Sequence, residues 1–176
     1  MGSIDASVLE KPLPKPERSL VGYASARVLE ALLEALLALE FLERGYTRNA
    51  AGKAFQAWRA LIAAILALER DRIAEKLGDK ERKWLLERAV ARLPTTQLRP
   101  LARLVEEAGY PYYDPLTDKA LNLHDYQYHG PDPDMALSKY RSREEAAWDI
   151  LYILGKLAEI VEERVKPRLE EEGKVG

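Results

Sequence analysis

The residues best equipped for chemistry lie in one short run, Lys119 to Gly130, which reads KALNLHDYQYHG. His124 carries the one side chain that ordinarily titrates near neutrality, so it can accept a proton and return it. Lys119 supplies a cation of the kind that steadies the charge building on a phosphate during phosphoryl transfer. On a helix these two, five residues apart, sit about 140° from each other and share a face only loosely. His124 and Tyr128 are four apart and lie one above the other. Tyr126 and Tyr128, with Tyr110, Tyr112 and Tyr113, could stack on bases. They could equally be amphipathic rings packed where a loop meets a bundle.

Blander readings stand beside each of these. His124, flanked by Leu121 and Leu123, fits a hydrogen-bonded histidine at the edge of a core. Lys119 fits a solvated residue in a helix's first turn. His124, Asp125, His129, Asp132 and Asp134 have the composition of a metal cluster, but the i, i+4 histidine pair of helical sites is missing. Neither a metal nor a cofactor is therefore expected. Phosphate-binding GxxxxGK[ST] loops, GxGxxG turns, GxSxG elbows and HExxH helices are all absent from the sequence. That excludes the ordinary ATPase, dehydrogenase, serine hydrolase and zincin chemistries.

Composition narrows the field further. The chain has 176 residues, no cysteine and a net charge of −2, which suits one domain without disulfides. A dedicated nucleic-acid binder would be strongly basic overall. Locally, seven Lys/Arg against two Glu between Lys80 and Arg103 make a basic stretch, in most proteins a solvated face and beside a cleft a guide for RNA. Two Asn, three Gln and 32% charged residues are the balance of a thermophilic protein. No uninterrupted run of 18 apolar residues and no signal-peptide pattern is visible, so a cytoplasmic protein with no membrane segment is expected.

Helices must position these residues, because the apolar spacing is helical throughout and no strand pattern appears. Residues 1–16, with Pro12, Pro14 and Pro16, read as an extended arm, and 17–172 as one all-α, antiparallel bundle of four to six helices. A first helix is expected over 17–44, stopped by Gly45. Its polar stripe is Arg27, Glu30 and Glu34, and leucines cover the remainder, as befits a helix central in a bundle or at a subunit interface. A second runs from a Thr47 or Asn49 cap to Leu77, its alanines allowing close approach. Asp79 caps a third, ending before Pro94, and Thr95 or Thr96 starts a fourth that stops at Gly109. Thr117 caps a short fifth helix ending at Gly130. Ser142 and Glu145 form a capping box for the last, with Asp149, Tyr152, Lys156, Glu159 and Glu163 wet. Trp148, Ile150, Leu151, Ile153, Leu154, Leu157, Ile160 and Val161 are its expected buried side. Trp58, Trp84 and Trp148 are expected in core or interface.

Two blocks carry a family resemblance. HEPN-superfamily helical domains are marked by an arginine, four to six residues, then a histidine often followed by x-Tyr. This chain has Lys119, four residues, His124, Asp125 and Tyr126. Its LHDYQYHG also looks like the Leu-His-x-x-Phe-Tyr signature of the archaeal PaREP branch. FLERGYTRNAAGKAFQAWRALIAAILA is similar to that branch's first helical hairpin. The resemblance spans roughly residues 20–165. It implies a bundle that pairs as a homodimer, and in many relatives a metal-independent endoribonuclease. His124 would be the acid/base there and Lys119 the cation, although lysine cannot grip a phosphate bidentately as arginine does. In other relatives the domain is non-catalytic and partners a minimal nucleotidyltransferase, sometimes in a toxin–antitoxin pair, with Tyr126 as the modified tyrosine. A different class also fits these residues: a structural or interaction protein whose apolar first helix is the partner surface.

Overall fold

The computed structural model describes residues 5–175, except the side chains of Ala6 and Val175. Those residues form an all-helical bundle with no strand among them. Four long helices build it: α1 (Leu20–Glu43), α2 (Thr47–Leu68), α7 (Tyr113–His129) and α8 (Arg143–Ile160). Shorter ones complete it: α3 (Arg70–Ala74), α4 (Asp79–Trp84), α5 (Val90–Arg92), α6 (Leu98–Glu107) and α9 (Lys166–Val175). The π-turns Leu85–Ala89 and Val161–Val165 join α4 to α5 and α8 to α9. Within the proline-rich arm, Ala6–Glu10 forms a short 3₁₀ turn capped by the Asp5 carboxylate, and this turn touches α1. Residues 1–4 of the expected arm lie outside the described residues.

α2 is the axis, touched by α1, α6, α7 and α8. Alanines at 50, 54, 57, 60, 64 and 67 are all buried, and their small side chains let neighbouring helices close in. Gly52 extends this: a β-carbon there would come within 2.5 Å of the Gln127 side chain on α7. By length and composition α2 could cross a membrane, but 83% of its most apolar stretch is buried by the surrounding helices.

The cap expected at Gly45 forms in full. Gly45 takes φ +79°, its N–H donates to the Leu42 carbonyl, and the Tyr46 N–H reaches back to Phe41. That is the pair of bonds closing a Schellman end. Ser19 starts α1, its Oγ accepting from the Gly22 N–H at 3.0 Å.

Several expectations are corrected. The second helix breaks at Glu69 instead of running to Leu77, because that carboxylate turns inward to Tyr110 and Arg168. Gly78, not Asp79, is the cap residue of α4. α7 begins at Tyr113, with Pro115 tolerated in its first turn. Thr117 is thus inside the helix, buried, accepting from Trp58 Nε1 at 2.9 Å. Ser142 does cap α8, accepting from the Glu145 N–H, while Glu145 reaches back to the Arg141 N–H.

The largest correction concerns which faces are dry. On α1 the polar stripe is turned inward: Glu34 is buried beside Lys53, 2.9 Å away, and Arg27 pairs with Glu30. Leu29, Leu32, Leu36 and Leu39 stand in the open instead. On α8 the isoleucines, Leu154, Leu157 and Val161 are buried as expected, but Leu151 is half-exposed and Trp148 is 78% exposed. Trp58 is fully buried, and Trp84 lies partly covered against the core.

Candidate functional site

α7 runs between α2 and α8 and touches both, so each of its faces meets a different neighbour. Toward α2, Tyr113 stacks on Trp58 with ring centroids 4.7 Å apart. About three turns further on, the His124 ring lies 4.2 Å from Phe55, tilted by 30°. Tyr128 meets the other side of His124 edge-on at 5.2 Å. His124 Nδ1 is enclosed and has no hydrogen-bond partner, which leaves Nε2 as the nitrogen that exchanges protons with solvent. Burial holds the imidazole below its usual pKa, with Arg59 adding to the effect and Asp125 opposing it. His124 is therefore neutral at pH 7 and could accept a proton.

Lys119 faces the other way. Its Nζ is 2.7 Å from Asp149 Oδ1 on α8 and 5.6 Å from the Tyr152 ring centroid. The second oxygen of Asp149 accepts from the Tyr140 hydroxyl at 2.8 Å. Burial and then this bond raise the Tyr140 pKa, so the phenol stays a donor. The lysine charge is thus compensated within the bundle by a carboxylate that is itself held in place.

Tyr126, expected as the modified tyrosine, is fully buried. Its hydroxyl is 3.0 Å from Thr47 Oγ1, and its ring meets Tyr140 edge-on. No reagent reaches that oxygen in this arrangement. Tyr128, by contrast, is 61% exposed. The carbonyls of Gln127 and Tyr128, at the end of α7, accept from the Arg48 guanidinium, a cation at the negative end of the helix.

Of the four expected residues, then, only His124 and Tyr128 are neighbours at an accessible surface, whereas Lys119 and Tyr126 lead away from them. The residues that hold this region, Asp149, Tyr140, Phe55, Arg48 and Thr47, lie far from it in sequence. Asp149 was legible only as part of a wet stripe, and no spacing rule links it to Lys119 across 30 positions.

The basic stretch is also partly committed. Arg99 pairs with Asp118, Arg103 with Asp114, and Arg82 donates to the Ala74 and Leu77 carbonyls. Among the described residues no three His, Asp or Glu side chains converge as a metal site. Asp132, in the loop after α7, accepts from the backbone N–H groups of Asp134, Leu137 and Ser138. Those bonds hold its carboxyl below the usual carboxylate range.

No curated protein and no solved structure matches the chain. A family model described as the archaeal PaREP1/PaREP8 family matches residues 26–151, from within α1 to the middle of α8. The match takes in both the α1–α2 hairpin and the Lys119–Gly130 segment, and the chain belongs to that archaeal family.

Proposed function

We propose that this protein is a non-catalytic helical interaction module, which works by holding a protein partner and not by cutting RNA. One observation carries the reading: the cation of the motif is spent. Lys119 is bound to Asp149, which also binds Tyr140, and a phosphate at this place would have to displace a seated carboxylate. The buried Tyr126 and the packed ring of His124 support the same view, since each has a structural partner.

A second reading has one specific observation in its favour. His124 is neutral at pH 7 and neighbours the exposed Tyr128, a pairing suited to an RNA- or nucleotide-associated HEPN-like module. Such a module could be half of a nucleotidyltransferase or toxin–antitoxin pair. In that case Tyr128, not Tyr126, is the accessible tyrosine.

The test is a double-mutant cycle on Lys119→Met and Asp149→Asn, read by urea denaturation. The interaction-module reading expects a coupling of about 1 kcal/mol. A coupling of zero leaves Lys119 free for a ligand and overturns it.

A further inference from the structure

The arm that precedes α1 is tied down at both ends and stiff between them. At one end the 3₁₀ turn Ala6–Glu10 packs on α1. At the other, the Arg18 and Ser19 N–H groups donate back to the Lys15 carbonyl, and Ser19 starts α1. In the span between, Pro12, Pro14 and Pro16 fix φ and lack an N–H. Lys11 already has the φ −78° and ψ 142° of a polyproline II chain. Such a span is semi-rigid and does not coil down onto the helix beneath it.

It leaves a cleft of about 290 Å³, walled by Val8, Leu9, Pro12 and Leu13 of the arm and floored by Ala26 and Leu29 of α1. Leu13 and Leu29 stay 39% and 43% exposed across it, so the two sides face each other without closing. Two charged residues also line the cleft. Glu30 is neutralised by Arg27, whose Nη1 is 2.7 Å from its carboxylate. Lys11 is exposed and makes no ion pair among the described residues, and the Asp5 carboxylate near it is engaged with the Ser7 N–H. The cleft is therefore apolar inside, with one uncompensated cation at its edge.

We propose that this cleft binds an anionic amphiphile, a linear aliphatic chain of about ten carbons ending in a carboxylate. The length follows from volume, since a methylene takes up roughly the 30 Å³ of a water molecule in the liquid. The head group follows from charge. A carboxylate pairs with Lys11 while its chain displaces water from Leu13 and Leu29. A neutral head leaves the lysine unpaired, and a cationic one is repelled by it. None of these residues belongs to α7 or α8, so the site stands apart from the Lys119–Asp149 pair and goes beyond the interaction-module reading.

Isothermal titration calorimetry of the full chain with decanoate, kept below its micelle-forming concentration, tests the proposal. One decanoate per chain is expected, and each methylene removed in going to octanoate should weaken binding about threefold. Lys11→Glu should weaken decanoate about fivefold and abolish its preference over decanol. Leu13→Glu and Leu29→Glu should each weaken it about tenfold or more, with unchanged helical circular dichroism. Leu137→Glu, which removes a still more exposed leucine from the loop after α7, should leave binding as it is. Ala26→Leu separates a cleft from a merely apolar surface. It adds apolar area but takes away volume, so it should weaken binding when the chain lies inside.

Absence of binding at about 1 millimolar decanoate overturns the proposal. So does binding that Ala26→Leu strengthens, or that both leucine-to-glutamate changes at positions 13 and 29 leave unchanged. Equal affinity of the wild type for decanoate and decanol overturns the anionic class of ligand.

Discussion

His124 is placed to stay uncharged. Its ring is clamped between Phe55 and Tyr128, and burial opposes a positive charge there. A histidine whose folded pKa lies below its unfolded value of about 6.5 binds fewer protons in the folded state. Its contribution is therefore complete above that pH and is lost as the pH falls from there toward the folded value. The urea midpoint of the wild type should drop more between pH 7.5 and pH 5 than that of His124→Phe, which keeps the ring packing but cannot titrate. Parallel pH profiles for the two proteins would contradict the burial argument. At this scale the sequence was informative about residue types and silent about direction. KALNLHDYQYHG shows a histidine, a lysine and two tyrosines that could act, but helical spacing puts Lys119 and His124 about 140° apart. Which neighbour each would meet depends on α2 and α8, and those contacts lie 30 to 80 positions away.

Helices were the most legible level, because capping and turn chemistry are local. Gly45 ends α1 and Ser142 begins α8 as their residue types require. The failure at the end of α2 coincides with a tertiary contact. Glu69 sits in an apolar, helix-forming run yet stops α2, since its carboxylate accepts from the Tyr110 hydroxyl at 3.0 Å and pairs with Arg168 at 3.3 Å. It ties α9 and the turn before α7 to the end of α2. Replacing Glu69 by alanine leaves the buried Tyr110 phenol without its acceptor, while Arg168 keeps Glu172, which should cost about 2 kcal/mol and lower the melting temperature by several degrees. A melting temperature within a degree of the wild type would show that these elements hold without it. The faces of α1 and α8 were misjudged for a related reason. Amphipathicity says that a broad apolar side exists. It does not say whether this chain or another copy covers it, and Leu36 and Trp148 remain bare on this one.

For the whole molecule, the picture is a bundle whose polar motif has turned inward and whose apolar residues have partly turned outward. Fold class was fully legible from the helical periodicity, and so was family membership, confirmed over residues 26–151. Activity was not, because helical spacing shows that Lys119 is present but not that Asp149, 30 positions away, pairs with it. The most direct test of a non-catalytic role is cleavage of end-labelled structured RNA in EDTA by the purified wild type beside His124→Ala at matched concentration. The account predicts that neither protein cuts above the buffer control. Cleavage by the wild type that disappears in His124→Ala would make His124 a working acid/base and contradict it.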